Sequence, residues 1–351
     1  MLDIDLCFTS TDELRSLILA RELSPVELMT NTLERIDAVN EELNCFCFVY
    51  HEEAMEKARR AERSIVKGDS LGALPGIPVG IKDVTPTAGK RTTRGSKMYE
   101  HWIPDQDSIL VKRLTEAGAI VVGKTTTPEF AHAGTTSSPL WGITRNPWDL
   151  TCTPGGSSGG SGAAVAAGCL SMAEGTDMGG SVRIPAAYCG LVGLKPSLGR
   201  IPMDILPSVF DDISHFGPLT RTVADSNLFM NVTSGPYERD ILSNPQMVDF
   251  PIPPDRQVAG VKVALCPDLG FYALHPEVEQ SCRSLADDLQ AHGAIVEEIT
   301  LPWGRETSDL WLDNWGVYLA VLFDAEDISQ WQEQLDPAVV ALIERGRSLS
   351  A

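Results

Sequence analysis

The chain has 351 residues, of which 43% are hydrophobic and 22% charged, and its formal net charge at pH 7 is −20. These proportions are ordinary for a globular protein, and the length is sufficient to bury a substantial core in one large or two smaller domains. The acidic balance argues against nucleic-acid and anionic-membrane partners, because both depend on clustered Lys and Arg.

The eight cysteines are scattered without a Cys-x-x-Cys spacing, so neither a zinc site nor a disulfide framework is indicated. The first residues are acidic where a signal peptide would be basic, and no apolar run is long enough to span a bilayer. We therefore expect free thiols, a cytoplasmic location, and neither a metal nor a membrane partner.

Taken in chain order, residues 10–70 are predicted to be helical. Ser10 and Ser24 each precede a glutamate by three positions, which is the spacing of a capping box, and a proline follows Ser24. A charged helix over residues 52–67 is expected to stop at Gly68. We assign these helices to packing, with a homodimer surface as an open hypothesis.

A short strand is predicted around Val79–Ile81, and Lys82 stands at its end. A lysine in this place is usually a surface residue whose aliphatic stem lies against the sheet edge. The serines downstream favour a functional role instead, because a serine needs a base and the six histidines fall in no distinctive motif.

Residues 107–125 have the pattern helix, glycine stop, strand, and Gly118–Thr125 matches the Walker A consensus literally. A phosphate-binding loop needs a strand before the first glycine, whereas here a helix precedes it and an apolar strand fills the gap. Gly155–Gly159 matches Gly-x-Ser-x-Gly, but no strand leads into it as a nucleophile elbow requires. Nucleotide binding and an α/β-hydrolase are therefore disfavoured.

The stretch Pro154–Pro185 is the most informative part of the chain. Two glycine-flanked serine clusters, Ser157 with Ser158 and then Ser181, lie on either side of a small-residue run that predicts a buried helix. Glycines beside a serine allow main-chain N–H groups to face a ligand, as an oxyanion hole requires. A flexible Gly/Ser linker would not contain such a long apolar segment.

The rest of the chain alternates short strands, turns and helices. A helix is predicted to begin at Thr222, a strand covers 261–265, a helix 277–289 and a strand 294–299, and the tail from Ser308 is helical. This alternation predicts an α/β fold with a mostly parallel sheet.

In the order and spacing of its motifs, the chain resembles the amidase signature family over roughly residues 10–235. The segments that carry the resemblance are Gly80–Asp83, Gly118–Thr125, Asn146–Asp149, Pro154–Ser161, Gly175–Ala186, Gly193–Pro196 and Gly217–Arg221.

The resemblance implies a mixed, mostly parallel central sheet covered by helices on both faces. It also implies one domain over 1–351, with N-terminal helices at 1–73, a catalytic core at 74–235 and an α/β and helical C-terminal region at 236–351. Family members commonly continue with a further sheet segment, so the expectation is either a compact variant or a fragment whose C-terminal part is incomplete.

For the chemistry, the resemblance implies a Ser-Ser-Lys amide hydrolase without cofactor. Ser181 is expected to be the nucleophile, Ser157 the bridging serine and Lys82 the base. A serine hydroxyl is a poor nucleophile until its proton is taken, and a lysine can take that proton only when neutral. A small-molecule amide is the expected substrate.

Further residues of the two motifs are expected to support this site. Main-chain N–H groups are expected to hold the oxyanion, at Met178, Gly179, Gly180 and Ser181. Asp177 and Arg183 are expected to shape this loop, with a surface ion pair as the alternative. Ser158 is expected either to add a hydrogen bond to the site or to satisfy its own turn.

Three functions remain open. The leading hypothesis is a stand-alone amidase that converts a small or medium linear amide to an acid and ammonia or an amine. The second is the amide-hydrolysing A-type subunit of a tRNA-dependent amidotransferase, disfavoured because Ile205–Asp212 does not resemble the corresponding region of that protein. The third is a truncated, non-catalytic scaffold.

Overall fold

The computed structural model describes residues 2–69, 71–206, 211–251, 257–324 and 328–349. The chain divides into two compact units, the first comprising Met1–Pro251 with Glu326–Val340 and the second Ile252–Ala325 with Ala341–Ala351. The organisation as one domain with inner boundaries at 73 and 235 stays a prediction. Within the described ranges, no helix has both the length and the apolar composition needed to cross a bilayer.

The first three long helices of the first unit confirm most of the predicted helical region 10–70, but residues 46–49 within it form a strand that pairs with a later strand of the sheet. The helices of this unit are α1 (Ile4–Phe8), α2 (Thr11–Ala20), α3 (Pro25–Leu43), α4 (His51–Lys67), α5 (Ile109–Glu116), α6 (Gly159–Ala166), α7 (Arg183–Cys189) and α8 (Val223–Thr233). Short 3-10 turns occur at η1 (Lys97–Tyr99), η2 (Glu129–Ala131) and η3 (Ile328–Gln330).

The helix ends follow the local signals in the sequence. Ser24 Oγ accepts the N–H of Val26 while a Glu27 carboxylate oxygen accepts the N–H of Ser24, so the capping box ahead of α3 is formed. Helix α4 ends at Gly68, whose φ of 77° lies in the left-handed region that glycine adopts without strain.

The central sheet of the first unit is mixed, as predicted. Its strands are β1 (Phe46–Val49), β2 (Pro78–Lys82), β3 (Ile120–Thr125), β6 (Met172–Asp177), β7 (Val192–Gly193) and β8 (His215–Thr220), while β4 (Ser137–Ser138) pairs with β5 (Gly142–Ile143) apart from it. The sheet order is β1-β3-β2-β6-β8-β7, and the parallel pairings are β3 with β2 and β2 with β6. The pairings of β1 with β3, β6 with β8 and β7 with β8 are antiparallel, so the expectation that this sheet is mostly parallel is wrong.

Hydrophobic layers cover both faces of this sheet, as predicted. Val79 and Ile81 of β2 pack in a cluster that contains residues of α5 and α8. Val122 and Ala173 pack in a second cluster, with residues of α3, α4 and α6. Strands covered on both faces must be largely apolar on both, which is why β2 and β3 each begin with an apolar run ahead of a lysine.

Helix α6 consists of Gly, Ser, Ala and Val only, and it packs against β2 and β6. A Cβ on Gly160 would lie 2.3 Å from the main-chain N of Thr126, so the close approach of this helix to the sheet requires glycine there. The small residues therefore place the start of α6 directly beside the carboxyl ends of the two strands.

The second unit contains the predicted strand–helix–strand segment. Strand β9 (Lys262–Leu265) pairs in parallel with β10 (Ile295–Glu298), and α9 (Pro276–Ala291) connects them. The tail is helical as expected: α10 (Glu306–Leu322) belongs to this unit, and α11 (Pro337–Ser348) begins in residues assigned to the first unit and ends in residues assigned to the second.

Candidate active site

Lys82 ends β2 with its side chain fully buried. Ile81 faces the layer of α5 and α8, so the next side chain along the strand projects to the other face, toward α6. There the Lys82 Nζ donates to Ser157 Oγ over 2.6 Å and to Thr176 Oγ1 over 2.9 Å. The structure thus brings two of the predicted site residues into direct contact.

The environment of Lys82 favours its neutral form. Burial lowers the pKa of Lys82 from its usual range to about 7, and the negative charges of Glu174 and Asp177 oppose this effect only in part. A large fraction of the amine is therefore unprotonated near neutral pH, the state in which it can accept a proton.

Ser157 lies in the loop between Pro154 and α6 and is fully buried. Its peptide bond with Gly156 is cis. A Cβ on Gly156 would lie 2.6 Å from the carbonyl oxygen of Thr135, so only glycine lets the loop pass this close to the neighbouring segment. The glycines of the motif thus allow the approach of Ser157 to Lys82.

Ser158 connects the serine-bearing loops with the end of β6. Its Oγ accepts the N–H of Thr176 and donates to the Thr176 carbonyl, each over 3.2 Å. Its own N–H donates to the carbonyl oxygen of Ser181 over 3.2 Å. Ser158 therefore ties the loops together as well as belonging to its own turn.

Ser181 lies between β6 and α7 and is partly exposed. Since its carbonyl accepts the N–H of Ser158, the loop of Ser181 is bound to the residue that follows Ser157. The link runs through the main chain of Ser181: in the described part of the chain its hydroxyl makes no hydrogen bond to Ser157, so the structure brings Lys82 and Ser157 together but does not join Ser181 to them by a side-chain contact.

The loop of Ser181 is built around Asp177, which is fully buried. Its carboxylate accepts the N–H groups of Gly180 over 2.7 Å and Val182 over 3.2 Å, and Arg183 binds both oxygens at 2.8 and 2.9 Å. Burial acts to raise the pKa of Asp177, but the arginine and the main-chain donors outweigh it and lower that pKa. Asp177 therefore holds the loop from inside it, while the largely exposed Arg183 binds the same carboxylate from the surface.

This arrangement reduces the number of main-chain N–H groups available to the predicted oxyanion hole. The N–H of Gly180 is already donated to Asp177, so in this structure it does not point to an oxyanion. The prediction consequently rests on the other three N–H groups, those of Met178, Gly179 and Ser181.

Several functional-site neighbours were missed by sequence reasoning. Thr176 is one, and three fully buried ionisable residues are others: Asp83, Lys124 and Glu174. Burial raises the pKa of both carboxyls and lowers that of Lys124. The signal that could have found the charged residues is a charge inside or just after an apolar strand, where a packed sheet face would otherwise exclude it.

Histidines do not take the place of the lysine here. The ring Nδ1 of His132 contacts the carbonyl of Glu129, and that of His215 contacts the carbonyl of Ile213. Over the described ranges, no cluster of three or more His, Cys, Asp and Glu side chains could hold a metal ion.

Comparison with known proteins identifies the family of this chain. The model of the amidase family matches residues 27–338. An acylamidase of Rhodococcus erythropolis is 36% identical over 351 residues, which is 100% of this chain and 74% of that relative. The A-type subunit of the glutamyl-tRNA(Gln) amidotransferase of Carboxydothermus hydrogenoformans is 39% identical over 300 residues, which is 85% of this chain and 62% of that relative.

A solved structure is also similar to this chain. A bacterial aryl acylamidase described as an amidase signature enzyme superposes with a TM-score of 0.93 at 30% identity, covering 98% of this chain and 73% of that one. The fold is therefore shared with this enzyme.

Proposed function

The chain belongs to the amidase signature family, and from this we propose that it hydrolyses carboxylic amides through an acyl-enzyme on Ser181, with Lys82 as base and Ser157 as proton relay. The observation that carries the proposal is the 2.6 Å hydrogen bond between the buried Lys82 Nζ and Ser157 Oγ. A buried amine with a pKa of about 7 is suited to accept a proton at neutral pH.

The first half-reaction moves one proton through two hydroxyls. Ser181 Oγ attacks the carbonyl carbon, its proton passes to Ser157 Oγ, and the proton of Ser157 passes to Lys82 Nζ. The C–O double bond becomes a single bond whose negative oxygen is held by main-chain N–H groups. When the C–N bond breaks, the proton returns through Ser157 to the leaving nitrogen, and the acyl group remains on Ser181.

The second half-reaction repeats these transfers with water. Water attacks the acyl carbon while its proton passes through Ser157 to Lys82, and the proton then returns to the Ser181 oxygen as the acid leaves. The net reaction consumes one water and one amide and yields one carboxylic acid and one amine or ammonia.

We propose an acyl amide as the substrate class, because the acylamidase similarity extends over the whole of this chain. The chain spans 62% of the length of the amidotransferase protein that it matches, and 85% of this chain takes part in that match. An amidotransferase component is the second candidate, favoured by the 39% identity. Residues 207–210 of Ile205–Asp212 lie outside the described part of the chain, so the argument from that segment stays a prediction.

The test is covalent labelling with a fluorophosphonate probe, followed by amide hydrolysis assays. We expect the wild type and the Ser137→Ala variant, which changes an exposed serine, to be labelled, and the Ser181→Ala variant to be unlabelled. Hydrolysis of an acyl anilide by the isolated chain supports the stand-alone amidase. Glutamine hydrolysis only with added partner proteins supports the amidotransferase, and an unlabelled wild type supports the non-catalytic scaffold.

A further inference from the structure

Glu174 lies where two parallel strands separate beside the candidate site. The pairing of β2 with β6 covers Val79 and Gly80, opposite Met172 and Ala173. Beyond that pairing, the main-chain N–H of Lys82 donates to Glu174 Oε2 over 2.7 Å. A side chain of β6, in place of its main chain, therefore holds the end of β2.

Hydrogen bonds hold Glu174 in place through both its side chain and its main chain. The hydroxyl of Thr85 donates to Glu174 Oε1 over 2.9 Å, and the Ser161 hydroxyl of α6 donates to the Glu174 carbonyl over 2.7 Å. The residue is fully buried. Its carboxylate contacts are neutral donors, so they satisfy its oxygens without cancelling its charge.

The other carboxylates near Lys82 have different partners. Asp177, at the end of β6, is bound by Arg183, and His215 of β8 lies opposite it. Asp83 follows Lys82 and accepts the N–H and the hydroxyl of Thr93.

The remaining neighbours complete the charge inventory. On β3, Lys124 donates to the carbonyl of Thr85 and to the hydroxyl of Thr87. From β1, the thiol of Cys47 donates to the main-chain carbonyl of Lys124. Helix α6 contains no ionisable side chain. Among the described residues, Glu174 is thus the buried carboxylate that accepts a hydrogen bond from Lys82, through the main-chain N–H of the lysine.

We propose that Glu174 is a positioning residue for Lys82: its carboxylate fixes the main chain of the lysine, and its negative charge keeps the buried amine basic enough to take a proton from Ser157. This inference rests on the proposed function, in which Lys82 is the base. Without this negative charge, burial would make the amine a still weaker base, because burial removes solvation from the ammonium form. The electrostatic effect has the direction that this proposal requires, since the charge of Glu174 acts to raise the pKa of Lys82.

The direct test measures the titration of Lys82 by NMR of the chain labelled with ¹³C at lysine Cε, with the resonance assigned from a Lys82→Met variant. Glu174→Gln preserves the shape and one acceptor oxygen, which can still accept the N–H of Lys82, while its amide can donate to the Thr85 hydroxyl; the charge is removed. We expect this substitution to lower the pKa of Lys82 by about one pH unit or more. Asp225→Asn is the matched control, since Asp225 is another buried carboxylate that accepts a main-chain N–H, and it should leave the titration unchanged.

Activity gives a second readout. The acidic limb of kcat should move to lower pH in Glu174→Gln, and the plateau should fall about threefold because the base is weaker, with KM unchanged. A loss of activity without any movement of the Lys82 titration would overturn the proposal and leave Glu174 a purely structural role.

The reciprocal measurement covers the case in which Glu174→Gln does not fold. Because coupling between two titrating groups is mutual, Lys82→Met should raise the pKa of the Glu174 carboxyl, followed by NMR of the chain labelled with ¹³C at glutamate Cδ. An unchanged Glu174 titration would contradict the proposal. Neither NMR experiment requires turnover. If the protein is inactive but the pKa of each residue still changes when the other is replaced, the proposed function is refuted and the coupling of Glu174 with Lys82 is not.

Discussion

The side-chain nitrogen of Lys82 and the hydroxyl of Ser157 are 75 positions apart in the chain and 2.6 Å apart in the structure. Both side chains are fully buried, so their hydrogen bond does not compete with water.

Replacement of Lys82 by methionine removes the amine while keeping an unbranched side chain in the buried space. We expect Lys82→Met to lower kcat/KM by about 10²- to 10⁴-fold, the usual contribution of a positioned base. The matched control is Lys67→Met, at an exposed lysine that ends α4, which should retain wild-type kinetics. Unchanged kinetics in Lys82→Met, with circular dichroism like that of the wild type, would contradict the assignment of the base.

The pH profile of activity should show the titration of Lys82. Because its pKa is lowered to about 7 and the neutral amine is the active form, kcat/KM should rise with pH through this value. Below it, activity should fall by about tenfold for each pH unit. The measurement is initial rate against pH in buffers of constant ionic strength, and a flat profile through neutrality would exclude Lys82 as the titrating base.

The same lowered pKa predicts a pH dependence of stability. Between about pH 7 and 10.5 the unfolded chain binds a proton at Lys82 that the folded protein lacks, so stability from this group rises with pH across that window and levels off below about pH 7. The gain across the window is about 5 kcal/mol. Urea denaturation of wild type and Lys82→Met at both ends of the window should show a smaller increase in the variant. Equal increases would count against the lowered pKa.

The loop of Ser181 should depend on Asp177 more than on its partner. Asp177→Ala leaves the N–H groups of Gly180 and Val182 without their acceptor, and we expect it to cost about 2–3 kcal/mol of stability as well as activity. Arg183→Ala is the comparison, because the arginine side chain is 53% exposed and its loss keeps both main-chain bonds. Denaturation midpoints that fall equally in both variants would refute this view of the loop.

The close approach at Gly156 should not tolerate a methyl group. Gly156→Ala would bring its Cβ within 2.6 Å of the Thr135 carbonyl oxygen, which must displace the loop that holds Ser157. We expect a stability loss of about 1–3 kcal/mol and a large fall in kcat. At Gly134 the nearest neighbour of a Cβ is 3.7 Å away, so Gly134→Ala should behave like the wild type. Normal turnover in Gly156→Ala would show that the loop can accommodate a Cβ at this position, contrary to the prediction.

Local sequence signals determined much of the secondary structure. The capping box at Ser24, the stop at Gly68 and the strand ending at Lys82 could be predicted because caps, glycine stops and apolar runs act within a few residues. The spacing of the glycine–serine motifs was sufficient for the family resemblance, which named Ser157 and Ser181 for the site.

Only the tertiary structure decided what surrounds those residues. β2 and β6 are neighbours in the sheet although Lys82 and Glu174 are 92 positions apart, and no local pattern specifies that pairing. The sheet order, and the burial that follows from it, make Lys82 a buried amine in contact with Ser157 rather than a surface lysine. The same packing places the N–H of Gly180 within hydrogen-bond distance of the Asp177 carboxylate. Hydrogen-bond partners depend on distance in space and orientation, which the motif spacing alone does not specify.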